Sequence, residues 1–177
     1  MLDAAMSALH ASVLNAFKKQ GWAYRKVEDQ EVIESDFEAH HTKVSLHVQC
    51  FGESGILSVV AGVSFPAPRT HYPAVAELLM RANKELTVGS FELEWESGQV
   101  LFRVTNVFPP NRADERIISG LVHAAVAEVD RLTPFLGEVC KTPMGELLLL
   151  RIPELLRREE LLPPEPVVEE VTEMPAS

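Results

Sequence analysis

Alternation of apolar and polar positions dominates residues 31–65. With a tight turn at His41-Thr42, Phe37 falls opposite Leu46, Ala39 opposite Val44 and Ile33 opposite Cys50. A second turn at Glu53-Ser54, flanked by Gly52 and Gly55, sets Cys50 against Leu57, Val48 against Val59, Leu46 against Ala61 and Val44 against Val63. One face stays apolar across three strands. Glu34, Asp36, Glu38, Lys43, Ser45, His47, Gln49 and Ser58 take the other face. A period of two sustained this long predicts a three-stranded antiparallel meander.

A second alternating stretch, 90–108, predicts a hairpin turning at Ser97-Gly98. That register faces Trp95 with Val100, Leu93 with Phe102 and Phe91 with Val104, and puts Glu92 across from Arg103. Between and around the strands the period changes to 3.6. Leu2, Met6, Leu9, Val13 and Phe17 form one stripe of a helix over 2–20, which Gly21 ends. A helix from Pro73 to Leu86 carries Val75, Leu78, Leu79, Met80, Ala82 and Leu86, apolar on more than one side. After Pro109-Pro110 a long helix presents Ile117, Leu121, Ala125, Val129 and Leu132, with Thr133-Pro134 as an internal cap and restart.

The order α-β-β-β-α-β-β-α predicts an α+β fold, an antiparallel sheet of about five strands with helices packed on it. Residues 1–140 form the expected domain. Residues 141–162 read as a Leu-rich helical arm interrupted by Pro153. Residues 163–177, with four prolines, four glutamates and no Lys or Arg, read as a disordered acidic tail.

Composition narrows the class of function. The 177 residues suffice for one domain with a sizeable core, and 46% are apolar. No apolar run approaches the ~20 residues that span a bilayer. The first residues lack a basic region and are interrupted by Asp3 and His10, so a cytoplasmic protein without membrane contact is expected. The formal net charge of −10, with cations no denser than Lys18-Lys19 and Arg157-Arg158, disfavours direct nucleic-acid binding and suits a basic partner surface.

Catalytic and cofactor signatures are weak. His40, His41 and His47 are near one another, but His41 falls in the turn and His47 is expected opposite Asp36 as a surface charge pair; a zinc site needs three or four converging ligands. Glu92, Glu94 and Glu96 alternate with Phe91, Leu93 and Trp95, which is the wet face of a half-buried strand. Cys50 lies on the core face and, like Cys140, is read as a reduced thiol. Gly52-Glu53-Ser54-Gly55 is one residue short of a nucleophile elbow. There is neither a P-loop nor a dinucleotide fingerprint. The expectation is no catalytic residue, no metal and no cofactor.

Residues 81–104 run Arg-Ala-Asn-Lys-Glu-Leu-Thr-Val-Gly-Ser-Phe-Glu-Leu-Glu-Trp-Glu-Ser-Gly-Gln-Val-Leu-Phe-Arg-Val. This order resembles the central signature of YbjN-domain proteins: a helix ending in Arg-Ala-Asn, a Gly before Ser-Phe-Glu, an acidic-Gly turn and an aromatic-Arg pair. Asp130-Arg131 with Pro134 resembles part of a later Asp-Arg-aromatic-Leu-Pro segment, with Leu132-Thr133 in place of the aromatic-Leu step. Asn83 and Arg81 are expected to serve structure, Asn83 by satisfying backbone groups and Arg81 by pairing with Glu85. The resemblance covers roughly residues 5–140. It implies a type III secretion chaperone-like fold, a homodimer, a label of sensory-transduction or stress regulator, and no catalytic residues.

The resulting expectation is a non-enzymatic, chaperone-like or adaptor homodimer that binds a client protein. Leu78 and Met80 are its expected dimer contacts. Leu147, Leu148, Leu150, Ile152, Leu155 and Leu156 form the expected partner-binding arm, split by Pro153 into two short pieces and docked beside the client surface. The alternatives are a regulator holding a small ligand between sheet and helices, and an enzyme of unrecognised type.

Overall fold

The computed structural model describes residues 6–162. The Leu2 end of the first expected helix and the acidic tail at 163–177 lie outside the described residues. Six strands form one antiparallel sheet in the order β1-β2-β3-β4-β6-β5: β1 Arg25–Lys26, β2 Val32–Glu38, β3 Lys43–Phe51, β4 Ile56–Gly62, β5 Ser90–Leu93 and β6 Val100–Val107. Helices α1 (Ala8–Gln20), α2 (Tyr72–Glu85) and α3 (Glu115–Lys141) carry the rest of the core, with a short α4 at Ile152–Leu155. The α+β order is as expected, with β1 as a sixth strand too short to show a period.

α1 begins at Ala8 rather than Leu2. Ser7 is its cap, accepting the His10 N–H at 3.2 Å, and Glu31 binds both the Ser7 N–H and its hydroxyl. Leu9, Val13 and Phe17 of the expected stripe are buried, whereas Met6 precedes the helix and is exposed. α3 runs over Glu115–Lys141 from the Asp114 cap without a restart at Pro134. The Thr133 hydroxyl donates to the Val129 carbonyl one turn back, at 2.7 Å, instead of capping a new helix.

The three meander strands keep their expected faces, but only one of the two registers is as read. β3 and β4 pair Leu46 with Ala61, Val48 with Val59 and Cys50 with Leu57, as expected. β2 and β3 pair Phe37 with Val44, Ser35 with Leu46 and Ile33 with Val48, a shift of two residues. The turn centres on His40-His41, closed by the Ala39 N–H donating to the Thr42 carbonyl. Consequently His47 lies opposite Glu34, with its Nδ1 4.0 Å from the carboxylate, and Asp36 pairs with Lys43 instead.

The β5–β6 hairpin slips by the same step. Phe91 pairs with Phe102 and Leu93 with Val100, because the loop spans Glu94–Gln99 rather than a two-residue turn. Gly98 closes it at φ +78°, where an added Cβ would sit 2.4 Å from the Ala67 carbonyl. Trp95 therefore leaves the core and is half exposed, edge-on to Tyr72 at 5.0 Å. Glu92 and Arg103 still meet, diagonally, through two hydrogen bonds of 2.9 and 3.1 Å.

All three long helices lie on one side of the sheet. α3 crosses β3, β4 and β6, α1 packs beside α3, and α2 fits between α3 and β5. Ile33, Leu57, Phe102, Leu78, Ile118, Leu132 and Leu136 fill the space between the layers. No helix among the described residues is long and apolar enough to cross a membrane.

Candidate protein-binding surfaces

The two lateral edges of the sheet are each partly covered. At the β5 edge, Asn83 near the end of α2 donates its amide to the Phe91 carbonyl at 3.1 Å and accepts the Phe91 N–H at 2.7 Å. One side chain thus takes the place of a neighbouring strand. Gly89, at φ +76°, lets the chain enter β5 beneath the Phe102 ring, whose Cζ would lie 2.4 Å from an added Cβ. At the other edge, β1 pairs with the first half of β2, and the Ser35 hydroxyl donates to the Ala23 carbonyl ahead of it. A strand-adding partner at the β5 edge finds the Phe91 backbone groups already bonded.

The face away from the helices is open. Its side chains follow from strand parity and register. Glu34, His47, Val60, Arg103 and Ser90 make one cross-strand row; Asp36 and Ser45 lead through Gly62 to Leu101 and Glu92 in the next. Over these rows lies a trough of about 820 Å³, walled by Tyr24 and Arg25 on one side and Gln99 on the other. Its charges are paired internally: Arg25 with Glu34, Lys43 with Asp36, Arg103 with Glu92. The bond to Glu92 raises Arg103 above the usual guanidinium range.

At the far end of the same face Phe51, Ile56 and Val107 stand side by side on β3, β4 and β6. Val107 is 64% exposed and Phe51 is also in water. Three adjacent apolar side chains, close to Val60 and Leu101 on the same face, depart from the polar outward positions expected of a wet sheet face. Sequence reading missed this row because it joins residues from three separate strands.

The arm divides its leucines. Met144–Leu149 is a 3-10 turn with no buried residue, and Leu148 and Leu149 are 96% and 78% exposed. Ile152 and Leu155, on α4, are buried against the α2 side of the core, while Leu147, Leu150 and Leu156 are half-buried. Pro153 sits in the first turn of α4, where its missing N–H costs nothing, so it starts a short helix. The His71 ring anchors the arm's beginning through Nε2, 2.8 Å from the Thr142 carbonyl oxygen. Of the two expected dimer contacts, Leu78 is fully buried in the chain's own core and has no surface to offer; Met80 is 71% exposed. The two-sided apolar pattern of α2 reflects contact with the sheet, α3 and α4 of the same chain.

The remaining candidates resolve as structure. Asp130, on α3, accepts the His41 backbone N–H at 2.6 Å and faces its ring at 3.3 Å, fixing the β2–β3 turn. Arg81 pairs with Glu77, one turn before it, and not with Glu85. Burial pushes the Cys50 thiol up to about 12 and Cys140 to about 11, so neither is an activated nucleophile. Among the described residues no three His, Cys, Asp or Glu side chains converge as metal ligands.

Comparison with known proteins places this architecture. A chain of the ExsC–ExsE complex is similar in structure, with a TM-score of 0.56 at 10% identity, over 72% of this chain and 92% of that one. The YbjN structure from E. coli aligns with a TM-score of 0.49 at 8% identity, over 79% and 92%. The fold is type III secretion chaperone-like, as the resemblance implied. No curated protein matches the sequence. The family model of YbjN, described as "Putative bacterial sensory transduction regulator", matches residues 10–138, and the chain belongs to the YbjN family.

Proposed function

We propose that this protein is a non-enzymatic protein-binding module, a chaperone-like or adaptor homodimer that holds a client protein in a regulatory or stress-response setting. The observation that carries this reading is the uncovered sheet face, with its trough and the row Phe51–Ile56–Val107, in which Phe51 and Val107 are exposed and Ile56 is half-buried. Apolar side chains gathered on a face that also carries paired charges favour a macromolecular partner. The similarity to a chain of the ExsC–ExsE complex supports a protein partner, and the family's regulatory description supports the setting.

In this reading Met80 contributes to the dimer contact, and the arm at 141–162 borders the client surface through Leu148 and Leu149. The space between sheet and helices is filled by side chains, so a small regulatory ligand finds its best volume on the open face. The test is affinity capture from the native cytoplasm with the wild-type chain and with Val107→Glu, followed by titration of the purified captured protein. Specific loss of one partner from the variant supports the reading. An unchanged set of partners and affinities refutes it.

A further inference from the structure

The second half of α3 borders a groove of about 490 Å³, a volume typical of small-molecule sites. Phe65, Pro134 and Leu161 give it apolar walls. Gly137 leaves its floor open, since a Cβ added there would meet no atom within 4 Å. From Thr133 to Lys141 the groove follows the helix for about 12 Å, at ~1.5 Å per residue.

Charge is unevenly placed along it. At one end His41 is engaged by Asp130, with Nδ1 3.3 Å from the carboxylate. At the other end Glu138 is bound by Arg158 at 2.9 Å, while Lys141 makes no ion pair among the described residues. The C-terminal end of a helix repels anions through its unbonded carbonyls, but Thr142 closes this one. Its N–H and its hydroxyl both donate to the Glu138 carbonyl, at 3.2 and 2.8 Å. The groove is thus a long apolar channel with one available cation at its end. The trough on the open sheet face is larger, but Arg25, Lys43 and Arg103 are already paired there.

We propose that this groove binds a medium-chain carboxylic acid, its carboxylate at Lys141 and its alkyl chain over Gly137 toward His41. Lys141 selects an acid over an amine or an alcohol of the same length. The apolar walls and bare floor select an unbranched chain over a small inorganic anion, which would gain nothing from them. This inference is independent of the client and of the open sheet face.

Cys140 lines the groove and Cys50 is buried in the core, so Cys140 reports occupancy. The experiment follows alkylation of Cys140 by excess iodoacetamide in the full chain while decanoate is added below its micelle concentration. Decylamine and decanol serve as controls. Decanoate is expected to slow Cys140 by about threefold or more, the factor for a groove occupied about two-thirds of the time, with the Cys50 rate unchanged. Octanoate should need about tenfold higher concentration for the same effect, the worth of two buried methylenes. Lys141→Glu, at an exposed position, should raise the decanoate requirement by about tenfold, as attraction turns to repulsion. Gly137→Leu fills the floor without a clash and should abolish the response. A Cys140 rate that decanoate leaves unchanged overturns the proposal. Equal protection by decylamine or decanol, or a wild-type response in Lys141→Glu, also overturns it.

Discussion

Asn83 hydrogen-bonds both backbone groups of Phe91, at 2.7 and 3.1 Å, and so closes the β5 edge of the sheet with a single side chain. Two consequences follow from this geometry, one for stability and one for solubility. Asn83→Ala leaves the Phe91 N–H and carbonyl without partners beside α2. The expected loss is about 1–3 kcal/mol, read from urea unfolding. An opened edge strand also invites pairing between chains, so light scattering is expected to show concentration-dependent association in the variant alone.

Asp130 does for the β2–β3 turn what Asn83 does for β5. Its carboxylate accepts the His41 N–H from a residue 89 positions away in sequence. Asp130→Ala should cost about 1–3 kcal/mol by the same measurement. Hydrogen exchange at residues 39–42 is expected to rise more than exchange in the β3–β4 hairpin.

Gly89 allows no side chain. Gly89→Ala combines a left-handed φ with a clash on the Phe102 ring, which is fully buried and cannot withdraw. A destabilisation well above about 1 kcal/mol is expected, seen as a lower thermal midpoint. Gly137→Ala, in open space within α3, should instead stabilise by up to about 1 kcal/mol through helix propensity.

His10 gives the fold a pH dependence. It is 1% exposed, and neither ring nitrogen has a hydrogen-bond partner among the described residues. Burial lowers its pKa from 6.5, opposed by nearby Glu31 and assisted by Lys26. Below pH 6.5 the unfolded chain therefore takes up a proton that the folded chain refuses. Stability should fall as pH drops from 6.5 to the lowered folded value, and this contribution should level off below it. His10→Leu is expected to flatten that part of the unfolding profile. An identical slope in wild type and variant would rule His10 out as the cause.

The sequence made the faces of the sheet legible and misread two of its registers. A slip of two residues preserves parity, so Phe37, Val44 and Leu46 stay on the core side whichever neighbour they meet. What sets the β2–β3 register is Asp130 on α3, and no local pattern near His41 reveals it. Ser97-Gly98 is a good turn pair and predicts a two-residue β5–β6 loop. The structure uses Gly98 as the closing residue of a longer loop and puts Trp95 outside the core. Periodicity likewise ranked the arm's leucines as equals. Only packing against α2 separates buried Ile152 and Leu155 from exposed Leu148 and Leu149. The Phe51–Ile56–Val107 row emerges only when three strands are laid side by side.

That row bears most directly on the central claim, which is client binding on the open sheet face. The decisive measurement is the titration of one purified partner against three folded proteins: wild type, Val107→Glu, and Leu148→Glu/Leu149→Glu on the arm. The account expects Val107→Glu to weaken binding by at least about tenfold, the ~1.4 kcal/mol that follows from opposing one apolar contact with a charge. The arm variant should change affinity less, with circular dichroism unchanged in both. Wild-type affinity in Val107→Glu, whatever the arm variant does, would contradict the assignment of the client to this face.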